Sequence, residues 1–247
     1  MSVVRDIALL FSRSATHQLR RPAWIFVGFT TPLLYLVLFT PLLRHYTHGN
    51  VLDGFLPGIL ALLAFASGSG LGFGTIFELR GGVIERLRVT PASRVAILIA
   101  PILAAMLMMF VFDAVLVAVA VAFGFHLHWA GLAVLVVLLA LMMAATAAFS
   151  VTIALITKEI SSFAAIVNGL NLPLLLLAGV LLPISVGPEW LRVLGHFNPL
   201  YYLVAASRPL AANHLSDGTL WQAFAVLVPL CVITLTWGTR VFRKAVA

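Results

Sequence analysis

WAGLAVLVVLLALMMAATAAFSVTIALI, residues 129–156, runs for 28 positions without one Asp, Glu, Lys or Arg. As an α-helix rising about 1.5 Å per residue it would be about 42 Å long, more than the roughly 30 Å of a bilayer's hydrocarbon core. Working outward from it, five further runs are long and apolar enough to cross: about 23–43, 55–77, 96–125, 161–182 and 219–239. The runs at 96–125 and 129–156 exceed one crossing, so those helices tilt or project beyond the bilayer. The whole composition agrees, with 62% hydrophobic and only 9% charged residues in a chain of 247 and a mean hydropathy of +1.12. Soluble domains carry about a quarter charged residues. The expectation is an all-α integral membrane protein with six transmembrane helices, forming a single transmembrane domain over residues 1–247.

The formal charge of +7 and pI near 10.5 do not indicate nucleic acid, because the basic residues lie at the ends of apolar runs rather than on one soluble face. Assigned alternately to the two sides, Arg5, Arg13, Arg20, Arg21, Arg80, Arg86, Arg88, Arg94, Lys158, Arg240, Arg243 and Lys244 fall together, against Arg44, Arg192 and Arg208. The positive-inside rule then places both termini in the cytoplasm. The first apolar run starts after about twenty polar and basic residues and is too long for a signal-peptide core, and Arg20-Arg21 lacks the rest of a twin-arginine context. The single cysteine, Cys231, can form no internal disulfide.

Two stretches outside the spans have structure of their own. In residues 1–21, Val3, Val4, Ile7, Leu10 and Phe11 share one helical side while Arg5, Asp6, Arg13 and Gln18 take the other, the pattern of an amphipathic helix on the cytoplasmic leaflet. Residues 183–218 contain Leu200–Ala212, which invites a seventh span, but a seventh crossing would carry Arg240, Arg243 and Lys244 outside. The segment is also short and contains Pro199, Arg208 and Pro209. It reads as an external re-entrant or interfacial helical hairpin, with Trp190, Tyr201 and Tyr202 suited to the membrane–water boundary.

The connection at residues 78–94 holds six of the chain's 23 charged side chains in 17 positions. Gly81 and Gly82 break the preceding helix, and residues 83–89 can form a short helix that Pro91 ends. Its surface mixes Ile84, Leu87 and Arg88 with Glu85, Arg86 and Val89. A solvated basic turn would satisfy the orientation rule, but orientation needs no acids, and the two glutamates suit a socket on a partner.

The order of these elements resembles the permease of type-2 ABC exporters, particularly the daunorubicin-resistance and nodulation-factor export group. The string Glu85-Arg86-Leu87-Arg88-Val89-Thr90-Pro91 resembles that family's coupling helix. Leu182-Pro183, Trp190-Leu191, Asn198-Pro199-Leu200-Tyr201-Tyr202 and then Arg208 resemble its carboxy-terminal signature. The resemblance implies a membrane subunit that performs no catalysis and docks a cytoplasmic ATP-binding subunit through Glu78, Arg80, Glu85, Arg86, Leu87, Arg88, Thr90 and Pro91. It implies ATP and Mg in that partner and no cofactor in this chain, a second permease copy or paralogue, and a bacterial plasma (inner) membrane. Consistently, the chain has no Gly-rich phosphate loop followed by Lys and Ser or Thr.

Polar and small residues within the spans are the remaining candidates. Gly68 with Gly72, and Gly70 with Gly74, stand four apart, the spacing that lets two helix backbones approach; a substrate path is the other reading. Asp113 is the one acid well inside a span, where a carboxylate costs about 2.5–3.5 kcal/mol on insertion scales. It serves either as a polar contact in a translocation path or as a helix-to-helix hydrogen bond with Thr146, Ser150, Asn168 or Asn171. Asn168, Gly169, Asn171 and Pro173 interrupt the fifth run, either as a gate or as a packing kink. His126 and His128 have suggestive spacing, but no Cys or nearby acid completes a metal site. The functional expectation is an ATP-driven exporter of an amphipathic drug, lipid or lipid-linked sugar. An ion-coupled secondary transporter is the alternative, supported only by Asp113 and the fifth-run break.

Overall fold

The computed structural model describes residues 3–20, 22–44, 51–83, 86, 94–126, 128–180 and 188–245, and among these the chain is all helical, with no strand. The helices are α1 (Val3–Leu19), α2 (Pro22–Arg44), α3 (Val51–Arg80), α4 (Arg94–Ala122), α5 (Trp129–Thr157), α6 (Ile160–Leu176), α7 (Glu189–His196), α8 (Pro199–Ala211) and α9 (Gly218–Ala245).

Four of the described helices are long and apolar enough to cross a membrane: Gly54–Arg80, Ala96–Ala122, Trp129–Thr157 and Gly218–Phe242. Two shorter apolar stretches accompany them, Gly28–Leu38 within α2 and Ile160–Leu176. Leu103, Leu107, Val111 and Val115, at four-residue steps on α4, are all exposed; that is a lipid-facing stripe. Trp129, Trp190 and Trp221, at the starts of α5, α7 and α9, are exposed at the opposite end of the bundle from α1, as an interfacial aromatic belt requires.

The element ends follow local chemistry. Gly82, with φ of +65°, closes α3 in the left-handed region that costs other residues steric strain. The Gly81 N–H bonds to the Phe77 carbonyl at 2.9 Å and the Gly82 N–H to Leu79 at 3.1 Å, so the expected glycine break is present. Gly124 at φ +100° and Lys158 at φ +55° terminate α4 and α5.

α3 and α5 form the centre of the bundle, and α9 and α8 pack on them. Leu56, Leu60 and Ala64 of α3 lie in one buried cluster with Leu135, Leu138 and Met142 of α5 and Leu200 and Leu203 of α8. Between helices in lipid, such contacts stabilise through close packing rather than through release of water. α1 runs alongside α4, and α2 is peripheral.

Residues 188–218 contain two helices, α7 and α8, and α8 is only 13 residues long, about 20 Å and too short to cross. Two expectations change. Asp6, expected on the polar side of the first helix, is buried at 6% exposure, on a helix that packs along α4, while Arg5 and Arg13 stay exposed. The fifth run is not interrupted at Asn168–Pro173: α6 is continuous through Pro173 and stops at Leu176, short of the expected 182.

Candidate functional site

The site grows out of the four glycines of α3. At about 100° per residue, Gly68 and Gly72 share one face while Gly70 and Gly74 share the nearly opposite one. A Cβ on Gly68 would run into the Thr146 hydroxyl and lie 2.8 Å from the Met143 carbonyl of α5. One on Gly72 would run into the Phe163 ring of α6 and lie 2.6 Å from Ser150 Oγ. The Ser150 hydroxyl accepts from the Gly72 N–H at 3.0 Å and donates to the Ser69 carbonyl at 2.6 Å. Phe163 is wholly buried, with Phe73 edge-on at 4.7 Å. A Cβ on Gly70 or Gly74 would meet nothing within 4 Å. Gly68 and Gly72 therefore face helix contacts, while Gly70 and Gly74 face open space.

Gly70 and Gly74 line an open-sided cavity of about 850 Å³ bordered by α1, α2, α3, α4 and the end of α6. Ile59, Leu62, Met108, Met109 and Phe112 are among its apolar walls. The end nearest α1 is polar, with Arg13, Ser14, His17, Gln18 and Glu78. There Arg13 Nη2 lies 3.6 Å from Glu78 Oε1, joining α1 to the last turn of α3. The far end is bounded by Leu175, Leu176, Gly179 and Val180, just past Pro173. A mostly apolar cleft of this size with a few convergent polar groups suits an amphipathic ligand.

The hairpin residues bear on that far end. Asn198 is 2% exposed. Its Oδ1 accepts from the Leu200 N–H at 3.0 Å, capping α8, and its Nδ2 donates to the Leu174 carbonyl at 2.6 Å. Pro199 occupies the first turn of α8, where its missing N–H costs nothing. Arg208 Nη2 donates to the Gly179 carbonyl at 2.8 Å. The Tyr202 hydroxyl donates to the His196 carbonyl at 2.9 Å, joining α7 to α8. Trp190 is exposed.

Asp113 is 6% exposed, and neither carboxylate oxygen has a hydrogen-bond partner among the described residues. It is not a cavity-lining residue, although Met109 and Phe112 beside it are. Two of its four expected partners are engaged elsewhere: Thr146 donates to the Met142 and Met143 carbonyls, and Ser150 holds α3. Asn168 is exposed and Asn171 half-buried on α6, and neither reaches Asp113. The helix-to-helix pairing expected for Asp113 is not made.

Of the expected coupling residues, Glu78 and Arg80 close α3, and the Arg86 N–H bonds to the Gly82 carbonyl at 3.1 Å. Glu85, Leu87, Arg88, Thr90 and Pro91, like Pro183 of the hairpin, lie outside the described residues. Among the described residues no three His, Cys, Asp or Glu side chains cluster as metal ligands would. Sequence reasoning missed the polar mouth of the cavity. Its signal was the spacing of Arg13, His17 and Gln18 on one face of α1.

Four helices long and apolar enough to cross a membrane, beside a cleft that is polar at one end, are the architecture of a multi-pass membrane protein. The chain belongs to the ABC-2 type transporter family, whose sequence profile matches residues 5–210, and is thereby a membrane permease subunit of an ABC transporter. It is similar to a protein named as a transport permease, ycf38, of Cyanophora paradoxa, with 30% identity covering 85% of this chain and 75% of that one. The ycf38 proteins of Pyropia yezoensis and Porphyra purpurea are each 24% identical over 96% of this chain, covering 81% and 80% of theirs. Family membership decides between the two transporter classes in favour of the ATP-driven one.

Proposed function

We propose that this chain is the permease of an ATP-driven exporter that moves an amphipathic molecule, such as a drug, a lipid or a lipid-linked sugar, out of the cytoplasm. The daunorubicin-resistance and nodulation-factor exporters are the subgroup it resembles. The observation that carries this reading is the 850 Å³ cavity with apolar walls and polar groups at the α1 end. An amphiphile would enter with its tail along α3 and α4 and its head beside Arg13, His17 and Gln18.

In this reading six helices span a bacterial inner membrane: α2, α3, α4, α5, α6 and α9. The α1 end and both termini face the cytoplasm, α1 lies on the inner leaflet, and α7 and α8 face outward. Residues 78–94 dock a cytoplasmic ATP-binding subunit, which binds ATP and Mg, through Glu78, Arg80, Glu85, Arg86, Leu87, Arg88, Thr90 and Pro91. A second copy or related permease covers α6, whose Asn168 amide and Leu170 and Leu172 side chains are exposed. An amide facing lipid lacks the partner that a neighbouring helix supplies.

Co-purification tests the class, since the chain should carry an ATP-binding subunit with it. Replacing Glu85 and Arg86 together should leave membrane insertion and the bound ATPase intact but uncouple hydrolysis from export. Unchanged export in that variant would sink the docking assignment.

A further inference from the structure

The end of the cavity remote from α1 is bordered by a short non-helical stretch as well as by helices. α6 stops at Leu176, and Leu177–Gly179 form a turn in which Gly179 takes φ of +70°. Leu175, Leu176, Gly179 and Val180 face the cavity there, and Val180 abuts α3, where a Cβ on Gly58 would lie 3.3 Å from its side chain.

A helix end leaves carbonyls without intrahelical partners, and the two carbonyls that bracket this stretch are both held from α8. Asn198 Nδ2 donates to Leu174 at 2.6 Å, and Arg208 Nη2 donates to Gly179 at 2.8 Å. α8 is a firm base for both. Leu200, Leu203 and Leu210 are fully buried, and the Leu210 backbone sits so close to Gly131 of α5 that a Cβ there would collide with its carbonyl. Among the described residues, α6 packs mainly on α3 and α5, and lightly. The closing segment thus depends on two side chains of a neighbouring rigid element.

We infer that Asn198 and Arg208 are positioning residues that strap Leu174–Val180 across the outer end of the cavity, and that breaking these two hydrogen bonds opens the path to the outside. This rests on the cavity being the transport path. Asn198 has a second task as cap of α8, and its two functions use different atoms, Oδ1 for the cap and Nδ2 for the strap. Asn198→Asp keeps the cap acceptor and removes the strap donor.

The test uses the full chain in cells, with Cys231→Ala to remove the native thiol and Ala66→Cys as reporter, Ala66 being a cavity-lining position midway along α3. A membrane-impermeant maleimide added outside should label the reporter slowly. With Asn198→Asp or Arg208→Gln the rate should rise about fivefold, the population shift expected from losing one hydrogen bond of typical strength. A residue that merely caps α8 predicts no change for Asn198→Asp.

Unchanged labelling in both variants, at normal amounts in the membrane, overturns the strap. So does failure of either variant to reach the membrane, since a strap is dispensable for folding. Labelling needs neither cargo nor ATPase, so these results are independent of the exporter reading. If no ATPase co-purifies, that reading falls and the strap stands. If the acceleration appears only when inside-out vesicles are labelled, the orientation is reversed and the strap stands.

Discussion

Alanine at each of the four glycines of α3 separates packing from path in a single helix. All four positions lie in the helix interior, so each substitution gains about the same 1 kcal/mol of helix propensity. Differences among the variants therefore isolate the surroundings. At Gly68 the new Cβ would lie 2.8 Å from the Met143 carbonyl, well inside the 3.4 Å at which ordinary contact begins. That oxygen is backbone and cannot rotate away, so α3 and α5 must part by about half an ångström or more. At Gly72 the Cβ meets Ser150 Oγ at 2.6 Å and the Phe163 ring, and parting the helices also strains the Ser150 bridge. Overpacking of this kind costs about 1–3 kcal/mol. Gly70→Ala and Gly74→Ala, with nothing within 4 Å, escape it. The measurement is reversible unfolding of the purified protein in mixed micelles, followed by helicity. Gly68→Ala and Gly72→Ala should be less stable than Gly70→Ala and Gly74→Ala by about 1–3 kcal/mol, and Gly70→Ala and Gly74→Ala should instead alter export by narrowing the cavity. Equal stability across the four refutes the assignment of faces.

Three further expectations follow from single groups. The Arg13–Glu78 pair is partly exposed, at 45% and 35%, so Arg13→Gln should cost under about 1 kcal/mol. It should still raise labelling of the Ala66→Cys reporter from the cytoplasmic side, and the charge-swapped double variant should restore the wild-type rate. Asp113→Leu removes a buried acid without partners, so stability in micelles should hold or rise, by up to about 3 kcal/mol. Export should fall in Asp113→Leu and persist in Asp113→Asn; full export by both would remove any role in the path. The Glu159 carboxylate accepts from the Ser161 and Ser162 hydroxyls at 2.6 and 2.9 Å. Those bonds, Ser161's first, lower its pKa below the usual glutamate value. The depressed group stabilises the fold above the ordinary glutamate range and loses that contribution as pH falls through the lowered value. Melting curves of Glu159→Gln should accordingly converge on wild type under acid, and a constant gap down to low pH would contradict this.

What could be read from the chain depended on whether a residue's neighbours in sequence or its neighbours in space decide its place. Uncharged runs decide helices locally, so α5 was legible to within a residue. The parity of basic residues excluded a seventh span at Leu200–Ala212, and α8 is indeed too short to cross. The end of α6 was not legible. Leu174–Leu182 is apolar throughout apart from one glycine, and composition cannot tell a helix from the turn that Gly179 makes inside such a run. The glycine pairs have identical spacing, and only the complementary surface distinguishes them, with Thr146 and Ser150 four apart on α5 facing Gly68 and Gly72. In the helix-to-helix reading of Asp113, those same two hydroxyls stood among its four candidate partners, with Asn168 and Asn171. Each already bonds to a backbone carbonyl, a claim that any Ser or Thr in a membrane helix tends to satisfy first.

The division of faces on α3 bears on how the proposed machine transmits force. The segment proposed to dock the ATPase continues from α3 through Gly81 and Gly82, so a push there would reach this helix first. Were α3 free to slide on its neighbours, the push would dissipate at the interface. Gly68 and Gly72 let it interlock with α5, and the Ser150 hydroxyl bridges Ser69 and Gly72 across the contact. Packed interfaces of this kind shift as units rather than deforming continuously. The cavity lies on the opposite face, along Gly70 and Gly74, where no side chain resists. In the proposed machine, movement of the α3–α5 pair relative to α4 and α1 would change the width of the cavity and strain the Arg13–Glu78 pair at its polar end. The small residues of α3 would then make one side of the helix a rigid coupling and the other side the wall that moves.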